Sequence, residues 1–302
     1  MSNKPNFFIV GAAKSGTSSL WQYLREHPEI YMPEDELFKE PRYFSNPERF
    51  IDEEAYFKVF ERAKSEHKRI GEASTAYLTC PDCPEKIHRY MTGHNLDVKI
   101  IILLRNPVNR AYSMYNWMVQ DGYEYSASFG KALKREKKRI HKMSGFWEPN
   151  YYYNYLYLNS GMYLDQVNRY LKTFGKEHVY VGLFEEFTRD TPKILKEILD
   201  FLGVNPAYLP DISKVYNRSY KVIHPSLQFF LRKSTKILCR LRIIKFESKE
   251  ERDRLLKLGL TRQKIPPLNE RLKSELADTY ESNIRKLSGL INKDLSIWLK
   301  NH

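Results

Sequence analysis

The sequence predicts an α/β fold with a central parallel sheet flanked by helices, and three observations predict it. The run Lys99-Ile-Ile-Ile-Leu-Leu104 is continuous and apolar, the pattern of a strand buried on both faces. Apolar runs of strand length alternate with amphipathic stretches of helix length along the chain. The first such run, residues 6–11, ends in glycine and leads through a polar loop into a helical pattern.

Each element has its own signal. Residues 6–11 read as a strand. Ser18 to His27 read as a helix, with Leu20, Tyr23 and Leu24 on one side and Pro28 as its stop. Arg69 to Ser74 form a short strand, and Lys99 to Leu104 the central one. Pro107 opens a helix that runs to about Gln120, because proline is suited to a first helical turn. His178 to Phe184 form another strand, followed by a helix from Thr191 to Leu202 that Gly203 closes. Near the C-terminus, Leu268, Leu272, Leu276, Tyr280, Ile284 and Leu287 recur at helical spacing, a core-facing stripe. No repeat or linker divides the 302 residues, so one domain is expected over 1–302.

Composition narrows the function classes. Hydrophobic residues make up 42% and charged residues 29%, which suits a packed core and argues against disorder. The formal net charge of +13 favours anionic partners such as nucleic acid, anionic lipid or a phosphate-bearing ligand, although a basic solvated surface would show the same excess. No apolar stretch reaches the length of a membrane span, and a cytoplasmic location is expected. Three cysteines make no disulfide framework. Cys80 and Cys83 form Cys-x-x-Cys with His88 downstream, but a zinc site would need a fourth ligand and Cys239 is far away, and Pro81 and Pro84 suggest an ordinary loop. Residues 129–142 are strongly basic and carry a thin apolar stripe of Phe129, Leu133 and Ile140, which reads as a solvated helix before it reads as a nucleic-acid arm. The aromatic cluster Phe146, Trp147, Tyr151, Tyr152, Tyr153, Tyr155 and Tyr157 suits either flat-ligand contacts or a packed loop.

The strongest local signal is Gly11-Ala-Ala-Lys-Ser-Gly-Thr-Ser-Ser19, between strand and helix. Backbone N–H groups and a helix N-terminus in that setting form an anion cradle, so this is a P-loop-like phosphate-binding strand–loop–helix. The spacing approaches the nucleoside-triphosphate loop Gly-x4-Gly-Lys-Ser/Thr, but Lys14 sits inside the loop and Thr17 takes the lysine's place. The early ammonium is suited to a bridging oxygen of a phosphate ester without a metal ion. Two further segments carry chemistry. Lys39-Glu-Pro-Arg-Tyr-Phe-Ser45 sets a carboxylate among basic and aromatic neighbours, which suits a general base or a plain salt bridge of Glu40 with Lys39 or Arg42. Leu104-Arg-Asn-Pro-Val-Asn-Arg-Ala-Tyr-Ser113 places Arg105 at the end of the central strand, where α/β sheets bind ligands. Arg105 can fork two donors onto a phosphate or pair with a carboxylate.

Taken in order, these segments resemble the sulfotransferase family that uses 3′-phosphoadenosine 5′-phosphosulfate (PAPS), above all its bacterial members and its heparan-sulfate branch. The resemblance runs through the Lys-Ser-Gly-Thr loop, Lys-Glu-Pro-x-Tyr-Phe-Ser, Gly71-Glu-Ala-Ser74 and Leu-Arg-Asn-Pro-Val-x-Arg-Ala-Tyr-Ser. It continues through Ser160-Gly-Met-Tyr163, Phe184-Glu-Glu-Phe187, Phe201-Leu-Gly-Val204 and Asp294-Leu-Ser-Ile-Trp298, and so covers nearly the whole chain.

The resemblance implies in-line transfer of a sulfuryl group from PAPS to a hydroxyl or amine of a carbohydrate or small-molecule acceptor, with no metal required. It implies that Lys14, Ser15, Gly16, Thr17, Ser18 and Ser19 hold the 5′-phosphosulfate, with Lys14 catalytic at the departing oxygen. Arg105 and Ser113 would grip the 3′-phosphate, Glu40 would be the general base, and Arg218 and Lys221 would belong to a late basic loop over the nucleotide. The chain departs from the heparan-sulfate branch at two places: Arg42 stands where that branch has a histidine, and Ala73 where it has a lysine. The rival readings are a P-loop-type kinase or nucleotide-binding protein, against which the displaced lysine argues, and a nucleic-acid-binding protein built on the basic charge.

Overall fold

The structure, a computed structural model, describes residues 3–35, 38–46, 50, 52–140, 149–208, 210–212, 221–222, 224–241, 243–245, 260–261 and 265–299. In chain order the first elements are β1 (Phe7–Gly11), α1 (Thr17–Arg25), β2 (Ile30–Tyr31), α2 (Glu53–Phe57), β3 (Arg69–Glu72), α3 (Cys83–Gly93) and β4 (Lys99–Leu104). Then come α4 (Pro107–Gln120), α5 (Phe129–Arg139), α6 (Tyr163–Phe174), β5 (Val179–Leu183), α7 (Phe184–Arg189) and α8 (Thr191–Leu202). The last are β6 (Lys221–Val222), α9 (Pro225–Arg240), β7 (Leu260–Thr261) and α10 (Glu270–Ile291). The chain divides into two compact units, one of Met1–Pro107, Met162–Asn217 and Tyr280–Asn301, the other of Val108–Gly161 and Arg218–Thr279 with His302.

The first unit is built on a five-stranded sheet in the order β2-β3-β1-β4-β5, with every neighbouring pair parallel. This is the α/β architecture that the alternating pattern predicts. β1 is buried throughout and β4 in all but Lys99, as expected of strands covered on both faces. On one face Phe7, Ile9, Ile101 and Leu103 share a core with Leu20, Trp21 and Leu24 of α1 and Ile194, Leu195, Ile198 and Leu202 of α8. On the other, the Phe8 ring meets Phe44 and Tyr90 edge-on at 5.8 and 6.2 Å. The order puts β1 beside β4, so the loops leaving both strands emerge at one edge of the sheet.

The second unit packs its aromatic and charged side chains inward. α5 turns Phe129, Ala132 and Glu136 to the interior and leaves Ile140 exposed, so the buried stripe is not the expected Phe129, Leu133 and Ile140. The aromatic segment is a packed loop. Tyr157 donates to Glu124 at 3.0 Å, Tyr155 to the Tyr123 carbonyl at 2.9 Å and Tyr152 to the Ile140 carbonyl at 3.0 Å. Phe146 and Trp147 lie outside the described residues. Glu124 is wholly buried and lies 2.8 Å from Arg139, while both Ser126 N and Ser126 Oγ donate to its other oxygen.

Several elements differ from expectation for local reasons. Pro84 opens α3 instead of lying in an ordinary loop, because the first helical turn needs no donor from it. Cys80 and Cys83 are buried free thiols, and burial pushes the Cys83 thiol well up. α6, α7 and α9 lie outside the sequence expectation, although Gly175 closes α6 and Pro225 opens α9, and β2 is only two residues long. Among the described residues no helix is long and apolar enough to cross a membrane. Nor is any group of three or more His, Cys, Asp and Glu among them placed to hold a metal ion.

Candidate functional site

The loop after β1 is held from below and left polar on top. Ala12 N–H donates to the Leu103 carbonyl of β4 at 2.7 Å, and Ser15 N–H to the Ala12 carbonyl at 3.2 Å, which closes a tight turn. Gly16 caps α1 in the left-handed region at φ 84. A Cβ there would stand 3.0 Å from the Phe184 ring and 3.3 Å from that of Phe187, so glycine answers both a backbone and a space requirement. The α1 N-terminus carries no acidic residue in its first turn and no side-chain cap. Among the described residues, its first N–H groups and partial positive charge thus meet no capping side chain. Ser15 is fully buried, and its Oγ has no hydrogen-bond partner among the described residues. A buried hydroxyl left unpaired costs stability, and an anion in the cradle would satisfy it.

Strain is concentrated here. Four non-glycine residues among those described have positive φ. Two are Asn95 and Asn292, a residue type that tolerates the left-handed region. The other two are Lys14 (φ 71) and Arg42 (φ 61), at about 1–2 kcal/mol each for a side chain with a Cβ.

The three segments singled out from the sequence are joined by specific bonds. Arg105 donates to the Lys14 carbonyl at 3.0 Å and lies over the Phe184 ring at 4.6 Å. Its own carbonyl accepts from Tyr163 Oη at 3.1 Å. Lys39 Nζ donates to Ser18 Oγ in the first turn of α1. That bond draws the segment of Glu40 to the helix that starts at the loop. The ion pair of Glu40 is with Arg42, at 2.6 Å, while Lys39 lies close enough to act on it through its charge.

Glu40 is half-buried and held at both oxygens. Arg42 Nε and Nη2 donate to Oε2, and Thr75 Oγ1 to Oε1 at 3.1 Å. Burial pushes its carboxyl up, but the charges of Arg42 and Lys39 and the bonds from Arg42 and Thr75 outweigh it and hold it below the ordinary range. Behind the pair, Arg42 N–H donates to Ser74 Oγ at 2.8 Å, and Ser74 Oγ donates to buried Glu72 at 3.3 Å. Thr75, Phe184 and Tyr163 were not named as site residues from the sequence. Thr75 directly follows Gly71-Glu-Ala-Ser74, which was the available signal.

Thus Lys14, Ser15, Gly16, Thr17, Ser18, Ser19, Glu40 and Arg105 come together in the first unit. Ser113 is half-buried on α4, in the second unit. Lys221 begins β6, which pairs antiparallel with β7 in that unit, and Arg218 lies outside the described residues.

Comparison with known proteins settles the family, since the sulfotransferase domain matches residues 4–288. The chain belongs to the sulfotransferase domain family. A sulfotransferase structure from Alicyclobacillus acidocaldarius superposes with a TM-score of 0.71 at 34% identity, covering 98% of both chains. The membrane-associated sulfotransferase kil1 of Dictyostelium discoideum is 36% identical over 119 residues, 38% of this chain and 23% of that protein. The mouse heparan sulfate glucosamine 3-O-sulfotransferase 5 is 24% identical over 244 residues, 74% of this chain and 65% of that protein. The chain therefore spans between about a quarter and two thirds of the length of these curated relatives.

Proposed function

We propose that this protein transfers a sulfuryl group from PAPS to a hydroxyl or amine of a carbohydrate or small-molecule acceptor. The carrying observation is the junction of loop and carboxylate, in which Lys39 bonds Ser18 at the start of α1 and so brings Glu40 toward the anion cradle. A phosphate cradle alone would suit many nucleotide enzymes. A cradle with a lysine within its loop, tied through Lys39 to the segment of a carboxylate, suits transfer to an acceptor whose proton must be removed. The family match supports this reading over the P-loop kinase.

The residues present fit the donor. Among the described residues the buried Ser15 hydroxyl has no partner, a place that a phosphosulfate oxygen would fill, and the α1 N-terminus has no side-chain cap. The donor, when bound, supplies the sulfuryl group and a phosphate as leaving group. Ser15, Gly16, Thr17, Ser18 and Ser19 would hold its 5′ end through backbone N–H groups and hydroxyls. Lys14 would offset charge as it develops on the leaving oxygen. Arg105 and Ser113 would bind the 3′-phosphate, Arg218 and Lys221 would add late basic contacts, and Glu40 would take the acceptor's proton. This assignment has the two units act as one domain over 1–302, consistent with a family match that runs across both. Three free cysteines suit a reducing compartment, so we place the protein in the cytoplasm.

The test is turnover with labelled PAPS against phenols, saccharides, lipid headgroups and amines. Titration with 3′-phosphoadenosine 5′-phosphate should accompany it, and saturable binding should raise the melting temperature. Adenosine 5′-monophosphate should bind far more weakly. Equal affinity for the two nucleotides would overturn the placing of Arg105 and Ser113 at the 3′-phosphate, and absence of turnover with every acceptor class would overturn the activity.

A further inference from the structure

We propose that Ser74 is a positioning residue for Glu40: it holds the Arg42 backbone in the left-handed conformation from which the guanidinium reaches the carboxylate. The inference rests on the reading of Glu40 as the general base. Both segments involved belong to the first unit. The three residues that follow β3 each bond the segment of Glu40. Ala73 N–H donates to the Lys39 carbonyl at 3.2 Å, Ser74 Oγ accepts from Arg42 N–H at 2.8 Å, and Thr75 Oγ1 donates to Glu40 Oε1 at 3.1 Å. Thr75 thus touches the carboxylate itself, whereas Ser74 acts on it through Arg42.

Arg42 needs such a hold. At φ 61 its Cβ crowds the following carbonyl oxygen, which an arginine side chain does nothing to offset. A return to the ordinary φ of about −60° would swing the Cα–Cβ bond by roughly 120° about N–Cα and carry the guanidinium away from Glu40. Bonds on both sides of the residue oppose that return. The Arg42 carbonyl accepts from Asn46 N–H at 2.8 Å and from Ser45 N–H at 3.2 Å, and the Arg42 N–H is held by Ser74. The Ser74 hydroxyl is buried, and its single proton goes to Glu72 Oε2 at 3.3 Å, which leaves a lone pair for Arg42 N–H. Buried Glu72, the last residue of β3, thus orients the serine, and the serine orients the arginine. Removal of the hydroxyl takes this acceptor from a buried N–H, a loss that adds to the strain and favours relaxation of the backbone. The charges that act on Glu40 are those of Arg42 and Lys39, with Thr75 adding a hydrogen bond. Once the guanidinium swings away, burial is opposed by Lys39 and Thr75 alone among these, and the carboxyl takes up a proton more easily.

The experiment follows Ser74→Ala in the full chain by two readouts. One is titration of the Glu40 carboxyl by carbon NMR without donor, and the other is the pH dependence of kcat with labelled PAPS. The titration and the acid limb of kcat should both move to higher pH by about one pH unit, the lower end of what loss of a nearby opposite charge gives. Affinity for 3′-phosphoadenosine 5′-phosphate should stay unchanged, because Ser74 acts on the base and not on the cradle. In an Arg42→Gln background Ser74→Ala should add no further shift, since both changes act through the same guanidinium. Ser74→Cys keeps nearly the same size but offers only a weak acceptor, so it should shift both readouts in the same direction and serves where Ser74→Ala does not fold. An unmoved Glu40 titration in a folded Ser74 variant overturns the inference, and so does a shift that adds in full to that of Arg42→Gln. The titration needs no turnover, which separates the two readings. A wild type without turnover, or an acid limb that does not follow the Glu40 titration, overturns Glu40 as the base, and Ser74 is then judged by the titration alone.

Discussion

Arg42 places Nε and Nη2 on one and the same oxygen of Glu40, at 3.0 and 2.6 Å. The carboxylate is thereby kept ionised but weakly basic, since the charges and bonds around it outweigh the upward push of burial. If Glu40 is the base, the turnover rate falls on the acid side only below the ordinary carboxyl range near 4.5. Arg42→Gln removes the charge that opposes burial, so the acid limb of the pH–rate profile should move to higher pH. An unmoved limb would show that another group governs it.

The same ionisation bears on stability. A carboxyl with a lowered native pKa stabilises the fold above its ordinary value of 4.5, and that contribution is lost as pH falls through the lowered native value. Glu40→Gln should therefore flatten the acid side of the melting-temperature profile below pH 4.5, where wild type declines. Turnover of this variant should drop by about 10²–10⁴-fold with donor affinity nearly unchanged.

Lys14→Ala separates binding from catalysis. An ammonium that acts on a developing charge contributes mainly in the transition state, so kcat should fall by about 10²–10³-fold while nucleotide affinity changes much less. A loss confined to donor affinity would make Lys14 a binding residue.

Gly16→Ala tests the cradle itself. The residue is left-handed at φ 84 and its Cβ would reach 3.0 Å from Phe184. The backbone term alone costs about 1–2 kcal/mol. Lower thermal stability and weaker binding of 3′-phosphoadenosine 5′-phosphate are both expected, by calorimetry and titration.

Glu124→Ala tests the second unit. It strands Arg139 beside an empty site, and breaking a buried pair in this way costs about 3–5 kcal/mol. A denaturant titration should show a large shift of the midpoint, and a near-wild-type midpoint would mean that water enters and solvates Arg139.

The parallel strands were legible because burial on both faces leaves an unbroken apolar run, as in 99–104, and because Gly11 marks where β1 gives way to the loop. The left-handed glycine at 203 marked the end of α8 as expected. α6 was not legible, because a glycine precedes it and a packed aromatic segment leads into it. At the site, the residue types of the loop and of Glu40 could be read locally. The Thr75 bond to Glu40 and the Arg105 bond to Lys14 join residues 35 and 91 positions apart, so only the sheet order reveals them. The Arg42 pairing could be read as a possibility, but its outcome for the carboxyl depends on Lys39, Thr75 and burial together.

The first unit is completed by the far end of the chain: Asn106, next to Arg105, donates from Nδ2 to the Trp298 carbonyl at 3.3 Å, and Lys293 pairs with Glu186 at 2.8 Å. β1 is made before its neighbour β4, which follows some ninety residues later, and this buttress comes almost two hundred after that. The nascent loop must therefore wait, its uncapped helix start and buried serine without their final surroundings, until the segment around Trp298 has been made. During that interval the apolar strands are the segments most in need of shielding from one another.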